Sequence, residues 1–225
     1  GLVGSEMCIR DRYYSDSDDL RSSASSFEAG INLSREFRLR AGLDFGALEA
    51  VAGSGYIAVD GRSRVSWQRP WLGGTWLLSP YVTIGATAAW QRISGLDDRP
   101  TGSVFAWLRP GDRLRFNASV SRDVLKVSPL ALSLGIRRDA ARLGLIWEAG
   151  WQGVLEAETT LEHYGDGNRR WEVILAPRWK LLRLAALNLD VGLRGWWFGY
   201  ESSPQNGYWA PERFRSCMAL AYGYW

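Results

Sequence analysis

Histidine is almost missing from this chain: 225 residues include one, His163, beside two Met and two Cys. A single His leaves no paired-His metal spacing, and any Ser-His-Asp or Asp-His site would have to be built on that one ring. No Gly-x-Ser-x-Gly accompanies it, so neither an enzyme nor a metal or cofactor site is expected. Cys8 and Cys217 give no disulfide framework and no zinc spacing. A single strong charge is missing too. With 27 basic and 24 acidic residues mixed along the chain, the net charge is +3. No basic block points to nucleic acid, and no acidic tail points to disorder. Long apolar runs are also lacking: none approaches the ~18 residues of a transmembrane helix, and mean hydropathy is slightly negative. That leaves membrane strands open, because strands that alternate apolar with polar residues average their hydropathy away.

What is abundant points the same way. Thirteen Trp, nine Tyr and twenty-five Gly stand out. Trp and Tyr suit a place where one end of the side chain is apolar and the other wet, as at a bilayer surface. Period-two alternation recurs along the chain. Between Ala186 and Trp225, Leu187, Leu189, Val191, Leu193 and Trp197 share one parity against Asn188, Asp190, Gly192 and Arg194. A polar loop from Glu201 to Gly207 follows, then a second run through Phe214, Met218, Leu220, Tyr222 and Tyr224, ending on Trp225. The stronger apolar set of that last run lies on the parity opposite Trp225. Such strands of about ten residues are those of a membrane barrel.

Taken in order, Tyr13 to Ser22 reads as a polar loop. Phe27, Ala29, Ile31 and Leu33 then alternate with Glu28, Gly30, Asn32 and Ser34, and Phe37 to Phe45 with Arg38, Arg40 and Asp44. A less regular descent from Tyr56 to Trp76 is interrupted by Pro70 and by Gly73 and Gly74. Alternation returns at Val82 to Trp90, Ser103 to Leu108, and Leu114 to Val120, where Arg113, Arg115 and Asn117 form the opposing face. Leu130 to Trp147 is expected as one long irregular strand. Leu155 to Leu161 opposes Glu156, Glu158 and Glu162, and Trp171, Val173 and Leu175 oppose Glu172. Short turns at Arg35-Glu36, Ser79-Pro80, Pro110-Gly111 and Pro177-Arg178 alternate with longer polar loops, the asymmetry of an outer-membrane barrel. The expectation is an all-β chain, an antiparallel transmembrane β-barrel of about ten strands. A soluble antiparallel sandwich also alternates. Charged pairs such as Arg113 with Arg115 and Glu156 with Glu158, on the face opposite the apolar one, favour a watery lumen inside a lipid-facing wall.

Residues 1–12 stand apart. Gly1-Leu-Val-Gly-Ser-Glu-Met-Cys-Ile-Arg-Asp-Arg12 lacks alternation and resembles translated sequencing-adapter read-through, so it is set aside as a scar at the head of a truncated gene, with the barrel at 13–225. The alternative is a short natural lead-in.

Three loop stretches, Tyr13-Tyr-Ser-Asp-Ser-Asp-Asp19, Tyr164-Gly-Asp-Gly-Asn-Arg-Arg170 and Asn206-Gly-Tyr-Trp-Ala-Pro211, resemble the C-terminal barrel of tetratricopeptide-repeat outer-membrane exopolysaccharide exporters, the porins of poly-N-acetylglucosamine and cellulose secretion. The resemblance covers about Tyr13 to Trp225. It implies a fragment of a barrel of roughly sixteen strands, lying in the bacterial outer membrane and reaching the periplasmic export machinery through a missing N-terminal repeat domain. Its partners would be the polysaccharide in transit and outer-membrane lipid, with no nucleic acid.

Under that reading Arg38, Arg40, Asp44, Arg113, Arg115, Asn117, Glu156, Glu158, Glu172, Asp190 and Arg194 line the pore, and Tyr208 and Trp209 contact glycan or fold over its mouth. A mixed-sign wall can exchange hydrogen bonds with sugar hydroxyls without holding them. The plainer reading is that these charges pair with one another and stiffen the barrel. Trp90, Trp107, Trp171, Trp196 and Trp197 are expected as an interfacial girdle. Two other functions stay open: a structural or general-diffusion barrel, and a barrel enzyme using His163.

Overall fold

The computed structural model describes residues 5–15, 20–51, 53–150, 152–183 and 188–224. They form twelve antiparallel strands and one short helix: β1 (Ser5–Ser15), β2 (Leu20–Asn32), β3 (Phe37–Ala50), β4 (Arg64–Ser79), β5 (Val82–Ile93), β6 (Arg99–Gly111), β7 (Leu114–Val124), α1 (Pro129–Ser133), β8 (Arg137–Ala149), β9 (Gly153–Tyr164), β10 (Arg169–Arg183), β11 (Asn188–Tyr200) and β12 (Phe214–Tyr224). Each strand pairs with its sequence neighbours in the order β1 to β12. Among the described residues the sheet is not closed, since β1 and β12 are its two edges.

Every strand reverses into the next, so the connections fall at two ends. Residues 51–63, 94–98, 125–136, 165–168 and 201–213 gather at one end; 33–36, 80–81 and 112–113 turn tightly at the other. This is the loop asymmetry that the sequence led us to expect.

Register sorts the side chains. Arg38 pairs with Thr75, Thr75 with Gly85, Gly85 with Phe105, Phe105 with Ser119, Ser119 with Arg142, Arg142 with Thr160 and Thr160 with Glu172. Directly opposed residues point to the same side of a sheet, so this row defines a polar face. The alternate set, including Leu72, Val104, Val120, Leu143, Leu161 and Trp171, makes the apolar face and stays exposed. A soluble domain would bury such a face; lipid is the solvent that fits it.

The polar face is the concave one. Leu48 of β3, Trp67 of β4 and Ile93 of β5 pack with Leu132 of α1, an element that follows β7. Lys126 lies 4.9 Å over the Trp67 ring. Val124 of β7 joins the same cluster, and side chains of β3 and β7 meet only inside the curve. Two glycines let the aromatic lining lie close to the sheet. Trp71 crosses Gly42, and Trp67 crosses Gly46, where a Cβ would meet Trp71 at 2.6 Å and Trp67 at 3.0 Å.

Four expectations need correction. The strand count is twelve, not about ten, partly because Ser5–Ser15 pairs with β2 along its length; an open sheet edge accepts any extended backbone, so a segment without alternation can still add a strand. Tyr13–Ser15 and Leu20–Ser22 accordingly extend β1 and β2 instead of forming a loop. Leu130 to Trp147 is not one strand: Ser128 caps α1 by accepting the Ala131 N–H at 3.1 Å, Pro129 starts the helix, and β8 begins afterwards. Pro177-Arg178 is no turn, because β10 runs through it, Pro177 facing Leu155. Pairing to β11 skips Ala176 and Pro177, a local gap that tolerates the missing N–H. The turn itself, 184–187, and Trp225 lie outside the described residues.

Candidate pore lining and its cap

Ten of the eleven predicted lining residues stand on the concave face. Arg113 does not: it sits in the turn between β6 and β7, at the rim, where its carbonyl accepts the Glu148 N–H. On β3, Asp44 accepts from Ser26 at 2.7 Å and from Arg69 and Trp71 at 3.3 Å each, while Arg40 reaches Glu28 at 3.3 Å. Arg38 packs its guanidinium beside Gly30. Arg115 pairs with Glu148 at 3.1 Å, Glu158 with Arg142 at 3.4 Å and Glu156 with Arg178 at 3.3 Å. Asp190 is buried opposite Lys180 and Tyr222. Arg194 is exposed and makes no ion pair among the described residues. With Asn117, Glu156, Glu158 and Tyr222 it lines a hollow of about 290 Å³.

Most of these charges are thus paired with an opposite charge on a neighbouring strand. Such pairs, half in solvent, contribute ~0–1 kcal/mol each to stability. Their effect is on the wall, which becomes polar, nearly neutral and lined with spare hydrogen-bonding groups.

A stronger cluster lies at the long-loop end. Arg170 reaches Glu162 at 3.0 Å and bonds Glu172, and both carboxylates are only 8% exposed. Glu162 also accepts from the Tyr164 hydroxyl at 2.5 Å, and Glu172 from the Trp196 indole at 2.7 Å. The guanidinium stacks 4.8 Å from the Phe198 ring. One cation held by two carboxylates and an aromatic face satisfies its charge where water is largely excluded. Of this group the sequence marks Glu172 as lining and Glu162 as part of an acidic face. Arg170 and Tyr164 stood in a loop signature, and nothing local signalled that a cross-strand cation would join two acids.

Above it sits a cap. Tyr208 stacks on Tyr164, rings 5.4 Å apart, donates to Asp166 at 2.8 Å and accepts from Asn168 at 3.0 Å. Asn206 also donates to Asp166, and Asn168 bonds both the N–H and the carbonyl of Ser202. Gly207, at φ +78°, offers its carbonyl to Ser128 of the α1 cap at 2.6 Å. On the far side of α1, Tyr56 accepts the Leu130 N–H and Ser133 accepts the Val59 N–H. Residues 53–63 and 201–213 are thus both tied by hydrogen bonds to α1 and its cap. Burial works to raise the Asp166 carboxyl, but Asn206, Tyr208 and the Asn168 N–H outweigh it and hold the group below the usual carboxylate range. Burial pushes the Tyr208 hydroxyl up, against its bond from Asn168 and reinforced by Asp166.

Tyr208 is thus a structural clasp. Trp209, 63% exposed, stands edge-on to Phe198 and Phe214 and leaves a ring face open. Of the expected girdle, Trp90, Trp171 and Trp197 lie on the apolar face; register puts Trp107, opposite Asn117, and Trp196 on the concave one. On β12, register places Phe214, Met218, Leu220 and Tyr222 beside Arg194 and Asp190, so the apolar set of this edge strand faces inward, opposite to its sequence reading.

Among solved structures, the chain is similar to one titled a bacterial polysaccharide outer membrane secretin, with TM-score 0.74 and 15% identity over 90% of this chain and 64% of that one. It is also similar to the FrpB iron transporter from Neisseria meningitidis, F3-3 variant, with TM-score 0.59 and 10% identity over 89% of this chain and 40% of that one. The chain therefore spans less than two thirds of either. No family model matches, and no curated protein matches in sequence. The likeness is one of fold: this antiparallel sheet is built like those of outer-membrane β-barrels, and its exposed apolar face fits lipid.

Proposed function

We propose that this chain is part of an outer-membrane porin that conducts a secreted exopolysaccharide from periplasm to cell surface. One observation carries the reading: the concave wall is made of charges already paired, Arg40 with Glu28, Arg142 with Glu158 and Arg178 with Glu156, with aromatic surface at Trp196, Phe214 and Trp209 near the exit. A neutralised wall offers hydrogen bonds to sugar hydroxyls and acetamides without a deep electrostatic trap, which transit requires. Sugar rings can lie against the free face of Trp209. The resemblance of the loop signatures and the likeness to a polysaccharide secretin support the polymer as cargo.

The barrel belongs to residues 13–225 in this proposal, residues 5–12 pairing with β2 only as extended backbone added at an open edge, with outer-membrane lipid around it and a periplasmic export apparatus reached through a repeat domain. No catalysis is assigned. His163 lies exposed on the apolar face between Asp139 and Arg169, on the opposite side of the sheet from the concave wall.

The test is conductance of the refolded chain in planar bilayers with oligosaccharides of N-acetylglucosamine, partly deacetylated, added on the short-turn side. The expected result is transient current block that lengthens with oligomer size and shortens in E156Q/E158Q. Rapid passage of small sugars with no length-dependent block would make this a general-diffusion barrel. Hydrolysis of the added oligomers, lost in His163→Ala, would make it an enzyme.

A further inference from the structure

The apolar face carries one feature that pore function does not use. Register aligns Val104, Val120, Ala141, Leu161 and Trp171 in a row across β6 to β10. One step towards the long loops, on the same face, the next row reads Arg122, Asp139, His163 and Arg169. Arg137 joins it through Asp139 at 3.0 Å, and Arg169 is tethered to Glu201 at 3.5 Å. Three guanidiniums thus face two carboxylates, and Asp139 is shared by Arg122 and Arg137. Each guanidinium has five donors, so most remain unused, and the Arg122, Arg137 and Arg169 side chains are about half exposed or more.

Below this row lies a broad, shallow hollow of about 1170 Å³. Leu39, Leu72, Val104, Val120, Leu161 and Trp171 help line it, with Arg122, His163 and Arg169 on its border. Cations along one edge of an apolar trough form an amphiphile's outline. Because long loops face outward in outer-membrane barrels, the border falls at the external leaflet's headgroup level.

We propose that this border binds the phosphorylated headgroup of an acylated lipid of the external leaflet, its chains lying in the apolar hollow. Arg122, Arg137 and Arg169 donate to phosphate oxygens, planar forks suited to that geometry. Asp139 and Glu201 hold the guanidiniums in place, and Val120, Leu161 and Trp171 receive the acyl chains.

The experiment is lipid retention by the full chain, refolded in detergent, stripped of lipid and weighed by native mass spectrometry. The probes are lipid A carrying two phosphates, the same lipid with both phosphates removed, and inorganic phosphate. Diphosphorylated lipid A should be retained about tenfold better than its dephosphorylated form, and R122Q/R137Q/R169Q should erase that preference. Arg142→Gln, on the concave face, should leave it unchanged. Should the triple variant not fold, Arg169→Gln alone, the most exposed of the three, should still weaken retention about threefold. Equal retention of both lipids, full retention by a folded variant, or complete displacement by inorganic phosphate would overturn the assignment. Lipid retention is read without any current, so it stands or falls separately from polysaccharide transit.

Discussion

The two ends of this sheet are built differently. At the long-loop end, Leu48, Val65, Trp67, Ile93 and Leu132 form a buried cluster, and Arg170 is enclosed with Glu162 and Glu172 under the Tyr164–Tyr208 stack. At the short-turn end the same concave face carries Arg115 with Glu148 and Arg178 with Glu156, open to solvent. A membrane barrel has no central core, because its apolar surface is given to lipid. Here globular packing is concentrated in the cap, while the rest of the wall relies on backbone pairing and exposed ion pairs.

Substitutions at matched positions should expose this contrast. Arg170→Ala leaves buried Glu172 without its cation and buried Glu162 with Arg138 alone, at 3.7 Å, and should destabilise the folded state by about 3–5 kcal/mol. Arg178→Ala removes a partner of the half-exposed Glu156 and should cost under ~1 kcal/mol. Urea unfolding of the refolded chain in detergent measures both, and similar costs would erase the distinction between the two ends. Next in size, Gly207→Ala forces an L side chain into positive φ and brings its Cβ within 2.6 Å of the Ser128 hydroxyl. We expect a loss of about 1–3 kcal/mol and faster proteolysis of 201–213. Gly53, also at positive φ but with open space around it, should show the backbone part of that cost alone. Ser128→Ala removes both the α1 cap and the tether to Gly207, and should lower stability by about 1–2 kcal/mol in the same unfolding assay.

The smallest effect is on pH. The Asp166 carboxyl is held below its ordinary value when folded, so its contribution is present above the unfolded pKa and is lost as pH falls through the folded one. The Tyr208 hydroxyl is raised, so its contribution is complete below its ordinary value near 10 and is lost as pH climbs beyond it. Protease sensitivity of 201–213 should therefore be lowest between about pH 4 and 10 and rise on both sides. Asp166→Asn should abolish the acid rise.

Strand identity was legible wherever one face meets lipid and the other water. Phe37 to Phe45 and Leu114 to Val120 show the alternation that becomes β3 and β7, and Glu156 and Glu158 do point inward. Legibility failed where a different solvent or a non-local partner decides. At the cap, Leu132 packs on Trp67 and Ile93 while Ala131 packs with Ile136 and Tyr164, so the apolar pattern of α1 mimics a strand. On β12 the apolar parity faces inward, where the aromatic cluster around Phe198 receives Phe214. Pro177 signals a turn locally, yet the strand accommodates it by skipping two pairs to β11. The Arg170 cluster joins neighbouring strands through a register that no local spacing encodes. The sequence marks Tyr208 as a loop aromatic, but only the fold shows Asp166 and Asn168 holding it.

In a membrane the charged face of this sheet is wet and its apolar face lies in lipid. Single cysteines placed in a background with Cys8 and Cys217 replaced by serine test it in lipid vesicles. Glu158→Cys on the concave face and Leu161→Cys on the apolar face, offered a charged, membrane-impermeant maleimide, report which side meets water. Rapid labelling at 158 and protection at 161 is the predicted result; labelling at 161 with protection at 158 would contradict it.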